Sequence, residues 1–209
     1  MLNKLRVEYK EKKPTINKRL KEFRQTYRAG DKEIFKELCY CILTANASAR
    51  MGLKCMNSIN SKVLTATESQ LRRMLKGKHR FAATRASYIT KSRDYMQKEL
   101  NFNLKKKILS IQDRDELREF IASNLKGIGY KEASHFLRNI GFKGYAILDK
   151  HIVDSMVDLR LIKEAKPPKN KEQYLLMEKK LRSFSRKIGI GMDELDLLLW
   201  SMKTGEVLK

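Results

Sequence analysis

The chain has 209 residues, enough for one large domain or two small ones, and 42% of them are hydrophobic, enough for a sizeable core. Lysine and arginine total 46 against 24 aspartates and glutamates, a net charge of +22, and such a surplus is the footprint of a polyanion partner because each neutralised phosphate releases condensed counterions. Only three prolines and ten glycines, with long stretches rich in Lys, Glu, Leu and Arg, argue for an all-α protein, and the apolar content without a low-complexity tail argues against a basic ribosomal or structural protein.

The first thirty residues are strongly basic. Ile16, Leu20, Phe23 and Tyr27 recur at helical spacing and predict a helix near Thr15 to Arg28. Asp31 is placed to cap a second helix bearing Ile34, Phe35, Leu38, Cys39, Ile42 and Leu43, too apolar to be anything but buried. It ends in Leu43-Thr44-Ala45-Asn46-Ala47-Ser48, and Ser48 can cap the next helix (Leu53, Met56, Ile59). Thr67 with Gln70 forms a capping box that starts a helix through Leu71, Met74 and Leu75.

Lys76-Gly77-Lys78-His79-Arg80-Phe81 comes next. Three cations, a histidine and one aromatic ring compose a segment that grips phosphates and offers a wedge against an unstacked base; the alternative is that Phe81 staples the following helix (Ala82, Ala86, Ile89, Met96). Arg85 and Arg93 on that helix are expected to face nucleic acid or solvent.

Asp113, with Glu116 three residues on, opens a helix bearing Leu117, Phe120, Ile121 and Leu125, and a second helix carries Ala133, Phe136, Leu137 and Ile140 before a C-capping Gly141. Between them Gly127 and Gly129 allow positive φ and close approach of another backbone. The turn feeds a helix N-terminus, flanked by Lys126 and Lys131, where free N–H groups favour an anion such as a phosphate; the bland alternative is an ordinary helical turn with a solvated lysine. An apolar run from Tyr145 to Leu148 leads to Asp149, the N-cap of a helix with Ile152, Val153, Met156 and Leu159 inward. Glu132 and Asp154 are expected in solvent, with Asp154 alternatively paired with a neighbouring cation.

Lys166 to Asn170 reads as a loop, followed by a helix (Tyr174, Leu175, Met177, Leu181, Phe184), a break at Gly189-Ile190-Gly191, and a last helix from Asp193. Cys39, Cys41 and Cys55 are odd in number and lack a Cys-x-x-Cys pair, so they read as reduced, buried thiols of a cytoplasmic protein. No apolar run is long enough to span a bilayer, and the basic N-terminus lacks a hydrophobic signal core.

The Gly-x-Gly-x-Lys turn ending at Lys131, followed by Leu148 to Ile152 (Leu-Asp-Lys-His-Ile), resembles the helix-hairpin-helix signature of the base-excision DNA glycosylases. With no cysteine after Cys55, an iron–sulfur cluster is not expected. The short chain, the hairpin lysine and the ending from Leu197 to Lys209 are similar to the archaeal-type (type 2) 8-oxoguanine DNA glycosylases across essentially the whole length.

That resemblance implies two helical lobes, residues 32–143 containing the hairpin (about 114–141) and residues 1–31 with 144–209, with the hairpin lysine and cap aspartate meeting across a cleft. It gives Lys131 the role of nucleophile at C1′ and Asp149 that of stabilising the cationic sugar. Lys126, Gly127, Gly129, Lys78, Arg80 and Phe81 are placed at DNA, as is Asn46, where the family often has glutamine. His151 positions phosphate or is simply packed. Trp200 and Lys209 help recognise the oxidised purine, although a lone Trp in an apolar helix also suits a core. The implied protein is a bifunctional glycosylase and abasic-site lyase, a monomer on duplex DNA in the nucleoid, with no cofactor beyond a monovalent cation at the hairpin turn when DNA is bound. Two alternatives stand beside it: a cluster-free relative of endonuclease III acting on oxidised pyrimidines, and a non-catalytic helix-hairpin-helix binding module.

Overall fold

The computed structural model describes residues 2–209, and every regular element among them is an α-helix. In chain order these are α1 (Leu2–Arg28), α2 (Asp31–Thr44), α3 (Ala49–Ile59), α4 (Glu68–Leu75), α5 (Ala82–Leu100), α6 (Leu104–Ser110), α7 (Arg114–Asn124), α8 (Tyr130–Asn139), α9 (Lys150–Asp158), α10 (Lys171–Ile188) and α11 (Met192–Thr204). The first is longer than its apolar stripe predicts and runs through Pro14. Pro14 is exposed, so water can satisfy the carbonyl that loses its amide partner, and buried Leu5, Ile16 and Phe23 hold both halves of the helix down.

Two compact units divide the chain: Met1–Arg24 with Leu137–Lys209, and Gln25–Phe136. The breaks fall at residue 24 rather than 31 and at 136 rather than 143, inside α1 and α8. The expected bounds sat at glycine-marked chain breaks, whereas packing partners change within continuous helices.

In the 25–136 unit, α2 is the hub. It is buried almost all round from Ile34 to Leu43 and packs against α3, α5 and α6. Asp31 does not cap it. Gly30 is the N-cap, and the Asp31 Oδ1 instead accepts the Lys105 amide at 2.8 Å, closing the start of α6, which the apolar pattern does not predict. Seven residues with three consecutive lysines give too little periodicity; burial of Leu104 and Ile108 stabilises that helix. Arg93 is also turned inward, donating to the carbonyls of Val63 (2.9 Å) and Ala66 (2.8 Å) between α3 and α4.

In the other unit the organising feature is irregular. Gly144 to Leu148 makes no helix, and residues 145–148 are buried, so their amides need internal partners. Gly144 N–H donates to Asp193 Oδ1 (2.9 Å), Ala146 N–H to Glu178 Oε1 (2.9 Å), Ile147 N–H to Asp196 Oδ1 (3.0 Å), and Leu148 N–H to the Tyr174 hydroxyl (3.4 Å). Asp196 in turn pairs with Arg138 at 2.6 Å, both side chains nearly inaccessible. Burial pushes the Asp196 carboxyl up to about 6, with Arg138 opposing the rise.

Asp196→Asn removes the counter-ion of a buried guanidinium and is expected to cost roughly 3–5 kcal/mol at neutral pH in urea unfolding. The folded Asp196 value lies above the unfolded one, so its proton contributes stability that is complete below about pH 4 and lost as pH rises through about 6. The variant therefore shows a flatter stability profile across that window; a profile unchanged from the parent would contradict this account.

Candidate active site

The hairpin is α7, the turn Leu125 to Gly129, and α8. Asp113 caps α7 through its Oδ1, which accepts the amides of Asp115 and Glu116, each at 2.8 Å. A fully buried Arg118 ties the two helices together: it pairs with Asp115, donates to Ser134 Oγ (3.2 Å) and lies 5.1 Å from the Tyr130 ring. The Tyr130 hydroxyl donates to Glu119 at 2.8 Å. These contacts fix the angle at which α8 leaves the turn.

Of the two turn glycines only Gly127 uses the left-handed region, at φ +80°. A Cβ there would overlap the Tyr88 ring, so a ring, and not a second backbone, occupies the space that glycine leaves. Ser92 Oγ donates to the Lys126 carbonyl at 3.3 Å, a second tie from α5 to the turn. The Lys126 side chain is exposed. Lys131 sits in the first turn of α8, 31% exposed, with Nζ 2.9 Å from Glu132 Oε1. Glu132 is thus partly buried beside the amine, not in open solvent. Asp154 takes the expected alternative and pairs with a neighbouring cation, Lys150, at 2.7 Å.

The segment after α4 lies in the same unit. His79 is buried, its Nε2 3.0 Å from the Leu43 carbonyl and its Nδ1 accepting the Phe81 amide at 3.0 Å. This pattern places the proton on Nε2. Burial, with the Arg85 and Arg80 charges adding, pushes its pKa below the ordinary imidazole value, while the Leu43 carbonyl opposes this. A neutral His79 therefore holds the loop's backbone and grips no phosphate. Phe81 is 40% exposed, with the Arg80 guanidinium 4.5 Å from its ring centroid and Arg85 at 5.7 Å.

Arg85 is buried, contrary to the expectation of a DNA-facing or solvent-facing side chain: it donates to the Ala45 carbonyl and lies 5.8 Å from Tyr88. Asn46, at φ +56° and exposed, accepts from Arg80 through its carbonyl at 2.9 Å. Lys78 turns back to the Met74 carbonyl at 3.1 Å. The contacts from Phe81 through Arg85 and Tyr88 to Gly127 thus connect this loop to the hairpin turn. Sequence reasoning missed Arg85, Tyr88 and Glu132 as supports, because buried and exposed arginines look alike in a helical pattern.

In the other unit Asp149 is the N-cap of α9 and its Oδ1 accepts the Ile152 amide at 2.9 Å. Asp149 N–H donates to the Ile147 carbonyl at 2.7 Å, so the cap hangs directly from the buried 145–148 run. His151 and Trp200 meet edge to face with ring centroids 6.1 Å apart, both half-buried. Lys209 is half-buried at the C-terminus, beyond the α11 C-cap Gly205.

All three cysteines are buried, and no cluster of His, Cys, Asp or Glu able to hold a metal ion occurs among the described residues. Within the 125–129 turn the carbonyls of Leu125, Lys126 and Gly129 accept from the Ile128 amide, Ser92 Oγ and the Ala133 amide.

Gly127→Ala is expected to displace the turn or the Tyr88 ring, because the added Cβ meets that ring and φ must stay positive. The cost is roughly 1–3 kcal/mol in thermal unfolding, with weakened DNA binding. Adding Tyr88→Ala removes the clash and restores part of the loss.

A family described as 8-oxoguanine DNA glycosylase matches residues 16–190. A protein of Korarchaeum cryptofilum named 8-oxoguanine DNA glycosylase/AP lyase is 40% identical over 195 residues, 93% of this chain and 90% of that one. Among solved structures, the Methanocaldococcus jannaschii 8-oxoguanine glycosylase/lyase in complex with a 15mer DNA containing 8-oxoguanine matches with a TM-score of 0.92 at 38% identity, over 100% of this chain and 99% of that one. The 8-oxoguanine DNA glycosylase of Thermotoga maritima matches at 0.90 and 35%, over 100% and 98%. A hairpin with Lys131 in its second helix, a carboxylate capping α9, and agreement over nine-tenths or more of each of these proteins have one reading: the chain belongs to the 8-oxoguanine DNA glycosylase family.

Proposed function

We propose that this protein is a DNA repair enzyme that excises 8-oxoguanine from duplex DNA and then cuts the strand at the abasic site. The observation that carries it is a lysine in the first turn of the second hairpin helix, in a chain that follows its glycosylase/lyase relatives along nearly its whole length.

C1′ is shielded inside a duplex, so the damaged nucleotide must first leave the stack. The exposed Phe81, braced by Arg80, is suited to fill the gap it leaves. The unprotonated Lys131 amine attacks C1′ as the glycosidic bond breaks and the base departs with a proton. The Asp149 carboxylate stabilises the positive charge that develops on the sugar. Loss of the amine's proton and ring opening give an imine. The imine acidifies the 2′ proton, and its removal expels the 3′ phosphate.

Trp200 supplies a stacking face for the base, and Lys209 contributes an ammonium to its recognition. 8-Oxoguanine is told from guanine by its N7–H, which requires an acceptor that guanine would leave unpaired. The His151 edge against Trp200 sets the ring's orientation. A monovalent cation, if one joins when DNA is bound, would be held at the turn of residues 125–129 and would supply positive charge there.

Borohydride trapping on an 8-oxoguanine duplex tests the assignment. The parent is expected to form a covalent adduct, and Lys131→Gln to form none while still binding the duplex; an adduct in that variant removes Lys131 from the reaction. Trapping on thymine-glycol in place of 8-oxoguanine would favour the oxidised-pyrimidine alternative. Asp149→Asn is expected to slow base release about 10²- to 10³-fold in single turnover with only a small loss of affinity. Undiminished turnover would take the carboxylate out of the mechanism.

A further inference from the structure

A second cationic feature lies beside the wedge, and the chemistry above uses none of its Arg72, Arg73 and Lys76. An open cavity of about 1120 Å³ runs along α4 and the loop after it, lined by Arg72, Arg73, Lys76, Lys78 and Arg80 against a single carboxylate, Glu68. Glu68 is engaged with the Thr90 hydroxyl at 3.4 Å, Lys78 with the Met74 carbonyl, and Arg80 with the Asn46 carbonyl. Arg72, Arg73 and Lys76 are exposed, and their side chains make no ion pair or hydrogen bond among the described residues.

Three uncompensated cations on one short stretch repel each other, which costs little in water but gives nothing to the fold. The groove is too open to desolvate a small anion, so a single phosphate would be held weakly. A polyanion differs: each phosphate neutralised releases counterions to the bulk, and regularly spaced charges meet several cations at once.

We propose that this groove is the seat of one duplex arm, its cations holding the phosphate backbone on one side of the lesion only. The geometry sets that sidedness. Arg80 lines the cavity and also lies on the Phe81 ring, so the groove begins where the wedge ends and leads away from it along α4. A strand entering the groove therefore leaves the lesion in one direction. This rests on the glycosylase reading, with Phe81 at the lesion.

The test is equilibrium binding of a lesion duplex by the Lys131→Gln protein, which cannot turn over, with and without Arg72→Gln, Arg73→Gln and Lys76→Gln together. The triple change is expected to lower the slope of log affinity against log salt by about 3, one for each phosphate that is no longer neutralised. Arg72→Lys with Arg73→Lys keeps the slope, since charge and not shape is read. Duplexes shortened on one side of the lesion, then on the other, supply the directional readout. Shortening one particular arm weakens the parent but not the triple variant, while shortening the opposite arm weakens both equally.

An unchanged salt slope, or equal sensitivity of both proteins to both arms, overturns the proposal. Failure of the glycosylase reading is distinguishable, because the protein with Lys131 intact would then trap no adduct. If only the groove assignment is wrong, trapping remains and the triple variant binds as its parent does.

Discussion

The geometry of the carboxylate depends on a stretch of chain that is neither helix nor strand. Residues 145–148 are buried without a ladder of their own, and a backbone in that position must find partners or forfeit roughly the desolvation cost of each amide. Two carboxylates and a tyrosine from α10 and α11 supply them, and a third carboxylate, Asp193, holds the amide of Gly144 just before. The acids are themselves costly to bury, and burial drives Asp193 and Asp196 above the usual carboxylate range. Arg138, at 2.6 Å, and the accepted amides offset that cost for Asp196. The next residue along the chain is Asp149, and its placement at the head of α9 follows from how firmly its neighbours are tied.

A similar constraint governs the 25–136 unit. Arg85, Arg93 and Arg118 are buried, and the first two direct their planar donor forks at loop carbonyls while the third joins the hairpin helices. Arginine suits this because its five donors reach several acceptors at once and its stem packs with apolar neighbours. The large positive charge of the chain therefore has two uses. Part is turned inward to hold irregular backbone, and part, as at Arg72, Arg73 and Lys76, stays in water where it serves only a partner.

The helix ends were legible because their chemistry is local. Ser48, Thr67 and Asp113 each cap the helix expected of them, as does Asp149, since a side-chain oxygen three residues before an amide needs no tertiary context. Where the partner is distant the signal vanishes. Asp31 looks like a local cap and instead serves α6, and His79 looks like part of a phosphate grip yet binds Leu43. The unit boundaries fell inside α1 and α8 for the same reason: a helix shows no break where its neighbours change.

The sequence by itself determined an all-helical chain, the hairpin and the charge surplus, because helical periodicity, capping and net charge are properties of residues within a few positions of one another, while the roles of Lys131 and Asp149 came from its resemblance to a family. Tertiary structure alone decided which arginines face inward, that the Tyr88 ring occupies the space over Gly127, that Glu132 pairs with Lys131, and that buried acids hold the run before Asp149. Those outcomes depend on side chains meeting from distant parts of the polymer. A buried guanidinium and an exposed one are the same letter until packing fixes which carbonyls lie within its reach.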